Sequence, residues 1–346
     1  MLQTVLDAKS ASGVPTARET TLTAYRFMLL ARILDDKYAA LYRAGKIHGG
    51  VFLGRGQEAL SAAIGVHLQK TDVFAPLIRD AAGRLAFGET VVDAVRTYLG
   101  SSLGPMRGRD GNVHRGRPQT GYLPMISHLG AMISVVNGTL FARRMKGISG
   151  TVGVTCLGDG ATSTGAFHEA LNQAAVERLP LVLVVADNQY AYSTPTTSQF
   201  ACEDLADKAA GYGVVAHPLD GTDLAACVRV VGAAVAGARA GGGPQLVVAK
   251  LLRLCGHGEH DDSNYVDPKL KNSPLGRDCL KVAEDYLVEQ KWADAATFAT
   301  WRSQCVQEIE DAVAKVQREP APDPFTENWC AISSKHLSEL HAEDGK

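Results

Sequence analysis

Along the 346-residue chain, hydrophobic positions are arranged in two alternating styles. Short continuous apolar runs, rich in β-branched residues, stand at 151–157 (TVGVTCL), 181–187 (LVLVVAD) and 245–252 (QLVVAKLL), with a briefer candidate at 72–78 (DVFAPLI). Runs of this length without polar alternation predict strands buried on both faces, as in a parallel sheet. Between the runs, apolar residues recur at helical spacing. Within 164–179, Phe167, Ala170, Leu171 and Ala174 share one side, and 221–243 reads as a helix opened by Thr222 or Asp223 and closed by glycines. Leu22, Tyr25, Leu29, Ile33, Tyr38 and Leu41 mark a longer helix that Gly45 ends. Residues 57–68 and 89–100 read as further helices, and 129–145 as a buried one. Strand, crossover helix, strand predicts the α/β class: a parallel sheet flanked by helices.

Three segments break the pattern. GKIHGGVFLGRG (45–56) is a glycine-rich loop, and 104–122 is a long polar loop with five glycines. A loop that long belongs to a lid or binding segment, or is disordered. Beyond about residue 268 the chain is polar and helical and ends in a Pro-containing tail suited to surface or inter-subunit packing. The organisation expected is a loose arm at 1–20, an α/β domain at 21–268, and a helical C-terminal extension with its tail at 269–346.

Composition narrows the function classes. Hydrophobic content of 46% and charged content of 21% are those of a soluble globular protein. A net charge of −2 offers no general attraction to nucleic acid or an anionic membrane, so neither is expected as a partner. No apolar run approaches the roughly 20 residues of a membrane span, and the N-terminus lacks an apolar signal core. Seven cysteines lie at least 24 residues apart, with no C-x-x-C. An odd, dispersed set points to reduced thiols in a cytoplasm.

Candidate chemistry gathers at strand ends. In an open parallel sheet, ligands sit beyond the carboxyl ends of the strands. Asp159, in GDGATSTG (158–165), follows one predicted strand, and Asn188 follows the next. If the two strands are neighbours, their ends lie about 4.8 Å apart. A carboxylate and an amide oxygen would then share a crevice with the start of a helix near Ser163 and Thr164, whose free N–H groups attract phosphate. That donor set suits magnesium, which shares six oxygens among one or two protein groups, phosphates and water. Asp159, the Asn188 amide oxygen and a backbone carbonyl near Tyr190 would supply three, with Gly158 and Gly160 allowing close backbone approach. A dinucleotide turn fails because Ser163 stands where G-x-G-x-x-G requires glycine, and no lysine follows Gly165 as a P-loop requires. An ordinary tight turn with a capping aspartate accounts for Asp159 but not for its partner 29 residues later. A zinc cluster of Cys255, His257, His260 and Asp261 is disfavoured, because one short loop closes a tetrahedron poorly.

GDG followed by 25–30 residues and an asparagine resembles the thiamine diphosphate motif. The wider chain resembles the alpha subunit of the decarboxylating first component of 2-oxo acid dehydrogenase complexes (branched-chain, pyruvate and acetoin types). The matching segments are GRGQEA (54–59), RD (79–80), GNVH (111–114), GDGATSTGAFHEALNQAA (158–175), DNQYAYSTP (187–195), DKAAGYGV (207–214), LDGTDL (219–224), GARAGGGPQLV (237–247) and RLCGHGEHDDSNY (253–265), so the likeness runs from about 20 to 325. The resemblance implies a thiamine-diphosphate-binding fold with Asp159, Asn188 and the Tyr190 carbonyl as magnesium ligands. It implies that Gly160 and Ala161 meet the diphosphate through their backbone, that Arg79, Arg253 and His257 are its cations, and that Ser127 and Leu129 line the aminopyrimidine. His257 and His114 are the catalytic candidates; His48 reads as a surface or packed residue, and His168 as a solvated or packed one.

The reaction implied is oxidative decarboxylation of a 2-oxo acid, branched-chain or pyruvate, with the acyl group passed to the lipoyl group of an acyltransferase. The family's activating glutamate lies on a separate beta chain, which implies an α2β2 assembly and an inactive lone alpha chain. Three departures from the family pattern stand out: Asp187 for an asparagine, Ile78 before Arg79 for a tyrosine, and no Gln-x-Pro in 130–138. The rival readings are an acetoin dehydrogenase alpha subunit, the cofactor-binding half of a split transketolase, and a scaffold that has lost cofactor binding. Intact Asp159, Asn188, Arg79 and His257 oppose the last.

Overall fold

The computed structural model describes residues 15–111, 114–323 and 325. In chain order its helices are α1 (Ala17–Arg43), α2 (Glu58–His67), α3 (Ala81–Phe87), α4 (Val91–Tyr98), α5 (Ala131–Met145), α6 (Gly165–Val176), α7 (Leu224–Arg239), α8 (Pro268–Lys271), α9 (Cys279–Glu289) and α10 (Ala295–Val316). The strands are β1 (Val73–Ala75), β2 (Gly153–Gly158), β3 (Leu181–Asp187), β4 (Tyr190–Ala191), β5 (Thr194–Pro195), β6 (Val215–Asp220) and β7 (Gln245–Lys250). Five of them form a parallel sheet in the order β1-β2-β3-β7-β6, and β4 and β5 make a small antiparallel hairpin.

The continuous apolar runs became the central strands for the reason the pattern implies. Alternate residues of each strand enter different cores. Phe74, Val154, Cys156, Val182, Val184, Val247 and Ala249 pack beneath α1, α2, α4, α7, α9 and α10. Val73, Ala75, Leu157, Leu181, Leu183, Val185, Leu246 and Val248 pack beneath α5 and α6. Polar alternation is absent because neither side faces water.

Several elements differ from the sequence expectation. The first helix begins at Ala17, where Thr16 and Glu19 form a reciprocal capping box, so the last four residues of the expected arm are helical; residues 1–14 lie outside the described residues. The candidate strand at 72–78 is three residues long and stops before Pro76. Strand β6 was not anticipated: it is an edge strand, half exposed, and carries Pro218, which a strand tolerates only at an edge or bulge. Helix α5 is not buried throughout. Met132, Ile133, Val136 and Leu140 face the core, whereas Val135, Phe141 and Met145 are exposed at 43%, 38% and 73%. Helices α9 and α10 share the core of α1, as Cys279, Leu287, Cys305, Ile309 and Val313 show. The tail at 326–346 lies outside the described residues.

Candidate functional site

Strands β2 and β3 are hydrogen-bonded neighbours with Gly158 opposite Ala186, and β3 pairs β7 with Asp187 opposite Lys250. Their carboxyl ends therefore deliver the GDG turn, the Asp187-Asn188 pair and the segment beginning at Arg253 to one edge of the sheet. After Gly158 the chain makes a tight 3-10 turn over Asp159–Ser163, and Thr164 caps α6 by accepting from the Phe167 amide. Gly160 is required by packing: a Cβ there would lie 2.5 Å from the Ala191 Cβ of the hairpin. Gly158 differs, because a Cβ there would enter open space.

The Asp159 carboxylate is 1% exposed. One of its oxygens accepts from Gln199 Nε2 at 2.6 Å. The other lies 3.1 Å from the amide terminus of Asn188, which is also 3.1 Å from the Tyr190 carbonyl. Asn188 Nδ2 donates to Gln57 Oε1 at 2.6 Å, so in this orientation the Asn188 oxygen, the Asp159 oxygen and the Tyr190 carbonyl converge. The reversed amide would instead donate to both neighbours. Burial raises the Asp159 pKa above the usual carboxylate value, opposed by the Gln199 bond. Burial, then the nearby Asp159 charge, pushes Asp187 up to about 6, with Lys250 opposing.

Two arginines border this convergence. Arg253 is 4% exposed and donates to the carbonyls of Cys255, Tyr190 and Tyr192 and to the Tyr265 hydroxyl. Arg79 is 8% exposed and donates to the carbonyls of Leu53 and His257. Neither arginine forms an ion pair with a carboxylate among the described residues. Burial lowers the Arg79 pKa to about 10, which leaves it charged at neutral pH. His257 sits 3.4 Å from Arg79 by its Nδ1, with the rings of Phe52 and Tyr192 against it. Its pKa falls to about 4, first from burial and then from the Arg79 and Arg253 charges.

The remaining candidates form a second group. His114 contacts Asp110 through Nδ1 at 2.6 Å and the Ser127 hydroxyl through Nε2 at 3.2 Å. Ser127 and Leu129 are exposed. Their segment abuts the start of α6, since a Cβ on Gly130 would lie 2.9 Å from Thr164 Oγ1. Ala161 is buried in the turn. His48 is exposed, and His168 lies on the exposed side of α6 against the Tyr212 hydroxyl. The thiol of Cys255 faces the Leu53 carbonyl, and among the described residues no three His, Cys, Asp or Glu side chains cluster as a metal site. Two contacts escaped the sequence reading. Gln57 and Gln199 are neutral amides in polar loops, and only their place in the fold marks them. A cleft of about 470 Å³ near Glu89, Asp93, Arg115 and Tyr122 includes none of these residues.

The parallel sheet flanked by helices is the thiamine-diphosphate-binding α/β class of fold. The chain belongs to the family of dehydrogenase E1 components, whose sequence model matches residues 25–325; that family is thiamine-diphosphate-dependent. The chain is 32% identical over 318 residues to the alpha subunit of acetoin:2,6-dichlorophenolindophenol oxidoreductase from Cupriavidus necator, covering 92% of this chain and 95% of the relative. It is 34% identical over 259 residues to the 2-oxoisovalerate dehydrogenase alpha subunit of Bacillus subtilis, covering 72% and 78%. It is 28% identical over 312 residues to the pyruvate dehydrogenase E1 alpha subunit of Rhizobium meliloti, covering 89% and 88%. An alpha subunit of this family implies a beta subunit as partner. No helix among the described residues is long and apolar enough to cross a membrane.

Proposed function

We propose that this chain is the cofactor-holding alpha subunit of a cytoplasmic 2-oxo acid dehydrogenase, acting on a branched-chain 2-oxo acid or pyruvate and passing the acyl group to a lipoyl-bearing acyltransferase. The observation that carries the reading is the meeting of the Asp159 carboxylate, the Asn188 amide and the Tyr190 carbonyl beside two buried arginines that have no carboxylate partners among the described residues. An octahedral magnesium shell at 2.0–2.1 Å sets neighbouring oxygens about 2.9 Å apart. The Asn188 oxygen lies 3.1 Å from both Asp159 and Tyr190 oxygens. With the Asn188 nitrogen on Gln57, three acceptors face one another, an arrangement that a cation between them would stabilise; with both amides reversed, Asn188 instead donates to Asp159 and Tyr190. Arg79 and Arg253 add two buried charges whose desolvation asks for an anion, and a diphosphate answers both demands at once.

In this reading Asp159, Asn188 and the Tyr190 carbonyl would hold Mg2+, and Gly160 and Ala161 would present backbone to the diphosphate. Arg79 and Arg253 would offset its charge, and Ser127 and Leu129 would line the aminopyrimidine. Bound thiamine diphosphate supplies the carbon nucleophile and the electron sink for decarboxylation. His257, neutral at pH 7, can exchange a hydrogen bond without adding charge beside the arginines. Asp110 orients His114, whose other ring nitrogen meets Ser127 at the open side of the crevice. An α2β2 assembly, in which the beta chain completes the site, is part of the proposal.

A second reading, an acetoin dehydrogenase alpha subunit, is favoured by the similarity to the Cupriavidus necator protein along almost its whole length. The test is to purify the chain with its beta subunit and assay 2-oxo acids and acetoin with thiamine diphosphate and magnesium. Turnover of a 2-oxo acid supports the first reading, and turnover of acetoin alone replaces it with the second. Asp159→Ala should abolish magnesium-dependent cofactor retention, and unchanged retention would sink the site assignment.

A further inference from the structure

Gln199 lies just beyond the hairpin, in a polar stretch with no periodicity. Its Nε2 donates to Asp159 at 2.6 Å and to the Thr194 carbonyl at 2.9 Å. Both neighbours are acceptors, so the nitrogen must face them and the amide orientation is fixed. The oxygen is therefore fixed too. Gln199 Oε1 is buried and has no hydrogen-bond partner among the described residues, an unfavourable state unless something donates to it. It sits 3.6 Å from where a Cβ on Gly160 would stand, beside the turn that carries Asp159. The backbone is held as firmly: Ser163 Oγ donates to the Gln199 carbonyl at 2.7 Å, and the Gln199 amide donates to the Thr196 carbonyl at 2.9 Å.

We propose that Gln199 is a positioning residue for the cation, an inference that rests on the metal–diphosphate reading above. Its nitrogen occupies one oxygen of Asp159, so that a single oxygen of that carboxylate turns toward Asn188 and Tyr190. One-point coordination leaves room in a six-membered shell for phosphate oxygens and water. Its unpaired oxygen accepts from a water of that shell. By tying Asp159 to Thr194, the same side chain also fixes the hairpin that presents the Tyr190 carbonyl. Glutamate in its place would set a second carboxylate against Asp159. Methionine would keep the volume but release Asp159 and remove the acceptor.

The experiment uses the full-length chain co-purified with its beta subunit, with Mn2+ as a paramagnetic probe and free Mn2+ read by EPR at saturating thiamine diphosphate. Outer partners of metal ligands are worth 10–100-fold in metal affinity. Gln199→Met is expected to weaken Mn2+ binding by about that factor. Thiamine diphosphate affinity at saturating Mn2+ should stay within about threefold of the parent for Gln199→Met, since no cofactor-contacting group is removed. A merely structural role would lower both affinities together and overturn the proposal. So would Mn2+ binding by Gln199→Met within threefold of the parent. If Gln199→Met fails to assemble, Gln199→Leu, which likewise removes the donor and the acceptor without adding charge, carries the same test. If the parent complex binds no Mn2+, or binds it equally after Asp159→Ala, the underlying cation site falls, an outcome separate from failure of the Gln199 role alone.

Discussion

Substituting Gly160 by alanine isolates the closest contact at the site. The added Cβ would stand 2.5 Å from the Ala191 Cβ, whereas its next neighbours, Gln199 Oε1 and Ala191 Cα, are at 3.6 and 3.7 Å and need not move. Carbon atoms settle at about 3.5–4.0 Å, so one contact must open by roughly 1 Å. Both atoms sit on short, anchored backbone segments, with no flexible side chain to yield. Overpacking of this kind costs typically 1–3 kcal/mol. Because the clash is with one methyl group, Ala191→Gly should relieve most of it. The assay is a double-mutant cycle by urea unfolding: Gly160→Ala, Ala191→Gly and the pair. The expected result is a loss of about 1–3 kcal/mol for Gly160→Ala and a favourable coupling of similar size in the pair. Coupling below about 0.5 kcal/mol, the usual additivity error, would refute the claim that this glycine is required by the hairpin.

Asp72 is 0% exposed, binds Arg239 through both oxygens at 2.8 Å, and also accepts from the Val152 and Gln69 amides. Asp72→Ala should therefore cost about 3–5 kcal/mol in urea unfolding, and a loss under 1 kcal/mol would show that the pair holds little. His168→Ala should leave stability within about 0.5 kcal/mol and turnover nearly intact, because His168 is exposed; a large fall in turnover would assign it a role. His257 has a folded pKa near 4, below the ordinary histidine value. Between those limits the unfolded chain binds the extra proton, so the stability His257 contributes is complete above about pH 6.5 and is lost as pH falls toward 4. The urea midpoint of the parent should drop more steeply than that of His257→Gln over this window and run parallel to it above pH 7. Parallel curves throughout would contradict the depressed pKa.

What the chain revealed in advance was whatever two-sided burial imposes. β3 occupies 181–187 as expected, and Phe167, Ala170, Leu171 and Ala174 all face the core, because strands and helices covered on every side leave unbroken apolar signals. Edges erase that signal. β6, half exposed and holding Pro218, reads as loop. The apolar outer face of α5 made the opposite error, since Val135, Phe141 and Met145 look like core in sequence and are exposed in the single chain. Periodicity cannot separate a core face from a face meant for another surface. The meeting of Asp159 and Asn188 was legible because they follow two strands that pair side by side, and strand ends are where parallel sheets bind ligands. Gln57 and Gln199 were not: their bonds span 131 and 40 residues to their partners, and an uncharged amide carries no compositional mark.

The electrostatics of the strand ends set this cluster apart from an ordinary ion network. Burial raises Asp159 and Asp187 and lowers Arg79, so desolvation disfavours the ionised form of each. Among the described residues the arginines have no carboxylate partners, although Asp159 lies close to the Tyr190 carbonyl that Arg253 binds. Direct arginine–aspartate pairing would neutralise both and close the crevice. Instead, backbone carbonyls hold the guanidinium groups, and two glutamines hold the acid and the amide. Positive and negative groups are kept apart by neutral ones at the cost of folding free energy. In the reading proposed above, that separation suits a ligand carrying both signs, with a cation for the oxygens and an anion for the arginines. A metal–diphosphate pair has that polarity.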